Sequence, residues 1–309
     1  MPFGQFVIGP PGSGKTTFCN GMSQLMRSMG RKVALVNLDP ANDVLPYTPD
    51  VDIMDLVDLT NVMAELHLGP NGALVYAMDH LLHNMDWLRS ALAPFEKEGA
   101  YVLFDLPGQV ELFMMHDSLR VILTTITNTW HYRLAVAHLV DAHLCTDANK
   151  FISCLLLSLS TMLHLELPHI NVLSKVDLLR QYGQLDFSLD FYTEVHDLQY
   201  LVRALGDSPF NARYRKLSAA LCEVVQDFGM VSFVPLVIQD KKSAAHVLAL
   251  LDKANGYVYA SLGTQSPYPA AAVFERCIVA CHRRAQTPTC GKRTRSSILT
   301  RGPLGRIWI

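Results

Sequence analysis

Three short runs in this chain have the residue types and spacings that phosphate chemistry requires. The first, Gly9-Pro10-Pro11-Gly12-Ser13-Gly14-Lys15-Thr16, fills every position of the pattern in which a glycine-rich turn precedes a lysine and a hydroxyl residue. Glycine lets the backbone curl, so the amides of Gly12, Ser13, Gly14, Lys15, Thr16 and Thr17 can converge on one anion at the positive end of the next helix. Lys15 then reaches the terminal phosphates of a nucleotide, and the Thr16 hydroxyl sits on Mg²⁺.

The second run is Asp105-Leu106-Pro107-Gly108-Gln109-Val110-Glu111, directly after the apolar stretch 100–104. A carboxylate at the end of a buried strand is what a metal begun at Thr16 needs, with Asp105 acting through water. The Pro-Gly turn frees the amide of Gly108 to meet a terminal phosphate, and Gln109 and Glu111 follow where an attacking water would stand. The third run is Ser174-Lys175-Val176-Asp177, again at the end of an apolar stretch. Asp177 can accept two hydrogen bonds from N1–H and the 2-amine of guanine, a donor pair that adenine lacks. The aliphatic stem of Lys175 can lie across the base. A buried carboxylate left unpaired by adenine costs a few kcal/mol, enough to discriminate.

The elements that must position these groups read as an α/β fold with a mostly parallel central sheet flanked by helices, plus helical insertions. Apolar runs at residues 6–8, 32–38, 100–104, 134–140, 169–174 and 231–236 read as buried strands. Functional residues gather beyond the carboxyl ends of such strands, so Asp39, at the end of the second, is aimed at the same edge as the phosphate loop. A plain turn-capping Asp is the alternative. Residues 49–94 turn helical, as if inserted between strands, and contain Gly69-Pro70-Asn71, by itself only a tight turn. Residues 179–230 read as a second helical insertion. Its aromatics Phe187, Phe191, Tyr192, Tyr200, Phe210 and Tyr214 are core packing or, alternatively, a partner-binding groove. The last strand reads as residues 231–236, and its Ser232-to-Pro235 end is expected to back the base. An amphipathic helix over 242–254 closes a domain spanning 1–258, with a basic, disordered tail at 259–309.

Composition agrees with an intracellular globular protein that does not bind nucleic acid directly. Half of the 309 residues are hydrophobic and 17% are charged. The net charge of −2 divides into +7 over residues 275–309 and −9 over the remainder. Seven cysteines without framework spacing fit a reducing compartment. The start lacks a charged leader, so no signal peptide is expected. The longest apolar run, about residues 152–163, is broken by serines and shorter than the ~18 residues of a membrane span. It is expected to be a buried helix, with no membrane association. Cys277, Cys281, His282 and Cys290 match no standard zinc spacing.

With these motifs placed, residues 3–258 resemble the GPN-loop GTPases, most closely their eukaryotic type 2 members. The resemblance rests on residues 9–17 (GPPGSGKTT), 36–42 (VNLDPAN), 68–72 (LGPNG), 105–112 (DLPGQVEL), 167–178 (LPHINVLSKVDL) and 252–257 (DKANGY). It implies a P-loop GTPase of the dimerising class that includes the signal-recognition-particle GTPases, using GTP/GDP and Mg²⁺. It further implies that Gly69, Pro70 and Asn71 reach across a dimer toward the partner's γ-phosphate. Asp39, Gln109 and Glu111 match positions around the attacking water. Eukaryotic members assist RNA polymerase assembly and nuclear import and pair with paralogues. The expected partners are therefore a second copy or a paralogous GPN-loop GTPase, with polymerase subunits or assembly factors as clients. The expected location is cytoplasmic, with shuttling to the nucleus left open. Leu106 stands where relatives carry Cys or Thr, and the region after about Tyr259 departs from the family's carboxyl-terminal segment.

The rival reading is a nucleotide-gated clamp whose turnover is negligible by itself. A small-molecule kinase shares the phosphate loop but has no use for Ser174-Lys175-x-Asp177. A metallochaperone GTPase would want a metal pair near the interface, for which His80 and His83 are the nearest candidates and are more simply read as helix surface.

Overall fold

The computed structural model describes residues 1–261, apart from 43, 115, 184, 207 and 208. The apolar runs do form strands. They are β1 (Phe3–Ile8), β2 (Val33–Asn37), β3 (Val51–Asp52), β4 (Tyr101–Asp105), β5 (Arg133–Asp141), β6 (His169–Ser174) and β7 (Phe233–Pro235). They lie side by side in the order β3-β2-β4-β1-β5-β6-β7, and every pair is parallel. The sheet is thus wholly parallel among the described residues, where the sequence predicts mostly so. Its strands are near-continuously apolar because both faces are covered. All five residues of β4 are buried, as are all but the first of β1.

One face is covered by α1 (Lys15–Ser28) and a helix near the carboxyl end of the described chain. Phe18, Met22 and Met26 of α1 meet Val247, Leu248 and Leu251 there. The opposite face carries α2 (Leu59–Leu66), α3 (Pro70–His83), α4 (Met85–Lys97), α5 (Val110–Met114) and α6 (Asp117–Thr124) beside β4 and β1. Beside β5 and β6 it carries α7 (Ala148–Leu165), α8 (Leu179–Tyr182), α9 (Leu189–Glu194), α10 (Gln199–Ala204) and α11 (Pro209–Phe228). The chain then passes through β7 into α12 (Lys241–Asn255) and α13 (Tyr257–Ser261).

Three readings are sharpened. The stretch 49–94 is not purely helical, because Val51–Asp52 adds an edge strand and α4 continues past Pro94 to Lys97. The apolar run near 152–163 extends to 18 residues as α7, long and apolar enough to cross a membrane by length and composition. Phe151, Leu155 and Leu159 instead bury it against β6 and the second insertion. Of the insertion's aromatics, Tyr192 is buried, Phe187 and Phe191 pack half-buried beside it, and Tyr200 and Tyr214 are exposed. The side chain of Phe210, the tail beyond residue 261 and its Cys and His residues lie outside the described residues.

A polar knot secures the end of the domain. Arg31 makes a bidentate pair with Asp252 at 2.6 and 3.2 Å, and the Tyr257 ring lies 4.3 Å from its guanidinium carbon. Asn255 donates to the Tyr101 hydroxyl at 2.7 Å and to the Gly4 carbonyl at 3.2 Å, so the motif 252–257 pins α12 onto β1 and β4.

Candidate nucleotide site

β1 lies between β4 and β5, and the phosphate loop leaves its carboxyl end. This is the reversal point at which open parallel sheets hold ligands. Gly14 caps α1 in the left-handed region at φ 93°, which a side chain rarely tolerates, and its carbonyl starts the helix by accepting from the Phe18 amide at 2.8 Å. Lys15 is buried, and among the described residues its Nζ donates only to the Pro10 carbonyl, at 3.4 Å. Burial lowers its pKa, and Asp105 and Asp39 work against that shift. Two carboxylates, one buried and one half-buried, therefore face a poorly bonded, buried ammonium.

Asp105 closes β4 beside Asn37 of β2 and Val7 of β1. Its Oδ2 accepts from the Tyr47 hydroxyl at 2.9 Å, whereas Oδ1 is buried without a hydrogen-bond partner. Burial raises its pKa to about 6, while Tyr47, Thr16 and Lys15 hold it down. The Thr16 hydroxyl accepts from the Asn42 amide at 3.0 Å. A bare, buried carboxylate oxygen next to a threonine hydroxyl is the donor set a hard divalent cation takes, so Thr16 and Asp105 fit Mg²⁺.

Asp39 lies in the same pocket. Burial raises its pKa, opposed by the Ala41 amide, which donates to it at 3.0 Å, and by Lys15. Asn37 fixes the approach, accepting from the Asp39 amide at 3.2 Å while donating to Asp52 at 2.9 Å. Gly108 presses on the loop from above, since a Cβ there would stand 2.6 Å from Lys15 Nζ and 3.2 Å from Pro11 Cα. Gln109 leads into α5, its carbonyl accepting from the Leu112 amide at 3.1 Å, and Glu111 is exposed on the first turn.

The third run lies beside the loop. The Ser174 hydroxyl lies 2.7 Å from the Ser13 carbonyl and 3.0 Å from that of Val140, tying β6 to the phosphate loop and to β5. Lys175 takes φ 57°, which swings its stem over the loop, where Nζ bonds Asp141 Oδ2 at 2.8 Å and the Gly12 carbonyl. A cavity of about 200 Å³ opens between them, with Asp177, Ser174 and Thr17 as polar lining and Phe18, Leu236 and Ile238 as apolar wall.

Two sets of predicted residues are not brought to this cavity. Ser232 lies at the amino-terminal end of β7, where its carbonyl accepts from Asn171 at 3.4 Å, and Leu236, Ile238 and Gln239 beyond the other end line the cavity instead. Gly69, Pro70 and Asn71 form the exposed amino-terminal turn of α3 rather than a free loop. Among the described residues no hydrogen bond joins them to the phosphate loop. His80 stacks on Tyr76 and His83 bonds the Asp79 carbonyl of its own helix. No metal-binding group of three or more His, Cys, Asp or Glu exists among the described residues. Tyr47 and Asp141 lie outside the quoted motifs, whereas Asn37 and Asn42 lie within the run 36–42 without a role assigned to them. Of those two outside, only Asp141, a strand-terminal acid, carries a signal.

A family described as "Conserved hypothetical ATP binding protein" matches residues 7–257. The GPN-loop GTPase QQT1 of Arabidopsis thaliana is 57% identical over 85% of this chain and 88% of its own. GPN-loop GTPase 2 of Danio rerio is 56% identical over 85% and 83%, and that of Saccharomyces cerevisiae 47% over 84% and 76%. This chain is a GPN-loop GTPase. The crystal structure of a GTPase in apo form from Pyrococcus abyssi superposes with a TM-score of 0.64 at 26% identity, over 82% of this GPN-loop chain and 97% of its own. The relatives' names and the family description differ on the base. Ser174, Lys175 and Asp177, the run that bears on the base, all line the cavity.

Proposed function

We propose that this GPN-loop GTPase hydrolyses GTP to GDP and phosphate with Mg²⁺, in a site completed by a second GPN-loop chain. The observation that carries the reading is the bond from Ser174 to the Ser13 carbonyl. It locks the guanine-selective run to the phosphate loop, so base and phosphates are read by one rigid unit.

Asp177 and the Lys175 stem select the base, and Ser13, Gly14 and Thr17 border it. The amides of residues 12–17 and Lys15 hold the phosphates, and Lys15 enters an ion pair it lacks in the free chain. Thr16 and Asp105 would hold Mg²⁺, which supplies charge neutralisation across the phosphates when bound. Asp39, half-buried and with a raised pKa, is the group best suited to orient the attacking water and hold its proton. Gln109 orients the same water, and Glu111 stands at the rim. Asn71, with Gly69 and Pro70, serves a partner's site rather than its own, and is the candidate for stabilising the transition state there.

The exposed position of Asn71 also favours a second reading, in which a lone chain turns over negligibly and GTP acts as a clamp on clients. RNA polymerase subunits or their assembly factors are the proposed clients, in the cytoplasm with shuttling to the nucleus. Hydrolysis measured against protein concentration decides between the readings. Specific activity that rises with concentration and collapses in Asn71→Ala supports the completed site. Tight GTP binding without turnover at any concentration supports the clamp, and equal affinity for ATP overturns the guanine assignment.

A further inference from the structure

Helix α11 rests on α7 and α10 through Cys222 and Val225. An adjoining face carries Tyr214, Leu217, Leu221, Val224 and Phe228, at intervals of three, four, three and four. Tyr214 is 38% exposed, Leu217 54%, Val224 44% and Phe228 49%, with Leu221 half-buried between them. Strict alternation of three and four is the 3.5-residue repeat by which one helix offers a seam to another. Fitting α11 to its own domain needs only the buried stripe, which lies elsewhere on the helix. The apolar seam on the outside calls for a second helix.

The charges beside the seam state which helix. Arg213 and Asp227 flank the same edge near opposite ends, both exposed, and Arg213 is held there over the Tyr214 ring at 5.5 Å. Further round the helix, away from the seam, Lys216 and Glu223 repeat the same polarity. The face is neutral in sum and polarised along its length, so its complement is the same face reversed. We propose that α11 pairs with α11 of a second copy, antiparallel, about a twofold axis near residues 219–220. Arg213 of each copy then meets Asp227 of the other. Leu217 layers against Leu221, and Tyr214 against Val224. A parallel pair sets like charges together, and the basic segment 275–309 complements only the acidic end. Two heptads bury less than the ~1,200 Å² of a stable complex, so the pairing is reversible. It is separate from the nucleotide-edge dimer and does not depend on it.

The test is sedimentation equilibrium of the full chain without nucleotide. The expected result is a monomer–dimer equilibrium that Leu217→Glu weakens at least about tenfold, with an unchanged circular dichroism spectrum. Arg213→Asp weakens it, and adding Asp227→Arg restores it. Oxidised Ala220→Cys forms a covalent dimer that the unmodified chain does not. A chain monomeric at about 100 μM overturns the proposal. So does a dimer indifferent to Leu217→Glu but lost in Asn71→Ala, which belongs to the nucleotide edge. Failure of the double charge reversal to restore association overturns the antiparallel pairing. Displacement of the dimer by a peptide of residues 262–309 assigns the seam to the chain's own tail and overturns it as well.

Discussion

Gly108 and Lys15 belong to elements 93 residues apart in sequence, yet a Cβ on the first would stand 2.6 Å from the ammonium of the second. Lysine can swing away, but the Pro11 backbone, 3.2 Å from the same point, cannot without moving the loop. Gly108→Ala therefore interferes where a terminal phosphate enters. We expect GTP hydrolysis to fall at least about tenfold and GDP affinity to stay within about threefold. Equal losses for both nucleotides would show that the loop itself has been deformed.

Tyr47 occupies one oxygen of Asp105 and leaves the other bare. Burial keeps its phenol protonated, so it remains a donor at every working pH. Tyr47→Phe keeps the ring and removes the donor, and a hydrogen bond to a charged group contributes about 1.5–3 kcal/mol. The Mg²⁺ concentration needed for half-maximal nucleotide affinity should rise about tenfold, with affinity in chelator unchanged. A matching loss in chelator would mean that Tyr47 only supports the segment.

Breaking the Arg31–Asp252 pair should cost far more than breaking a surface pair, because both side chains are almost wholly buried. Removing one partner strands the other charge, at about 3–5 kcal/mol. Asp252→Ala should lower the urea midpoint sharply. Lys32→Ala, whose partner Glu98 is exposed, should change the unfolding free energy by less than about 1 kcal/mol. Comparable shifts would contradict this account of the knot.

Acid should destabilise the fold through its buried histidines. Burial lowers His138 to about 4, and burial together with His138 lowers His169 to about 3. The unfolded chain takes up protons near pH 6.5, which the folded chain refuses, so stability falls from there toward pH 4. His138, fully buried, contributes on the order of 3 kcal/mol. Asp105 opposes this in part of the window. Its pKa is raised to about 6, so it binds a proton in the folded chain before the unfolded one does. His138→Gln should flatten the acid loss and Asp105→Asn should steepen it. A urea midpoint level from pH 7 to pH 5 in Asp105→Asn would refute the histidine assignment.

What the sequence made legible was whatever local periodicity and strand ends encode. Asp39, Asp105, Ser174 and Asp177 each follow a buried apolar run, and the parallel sheet carries them to one edge. Tyr47 has no such signature, because its bond to Asp105 spans 58 residues and depends on how an irregular segment folds back. Of the stretch 232–235 that the sequence aims at the base, Ser232 stands at the end away from the cavity. Only three residues pair in β7, and the chain reaches the cavity after leaving it, at Leu236 and Ile238. The Gly-Pro-Asn turn was legible as a turn, but Pro70 at the first helical position makes it the start of α3.

The apolar character of α7 has a consequence during synthesis. Its 18 residues have a mean hydropathy of 1.3, and they leave the ribosome before β6, Tyr192, Cys222 and Phe233, which bury them. At about 5–20 residues per second, that interval lasts several seconds. Throughout it the apolar face of the nascent helix lacks the partners that bury it in the finished fold. The order of synthesis thus leaves the most apolar helix waiting for the segments that cover it.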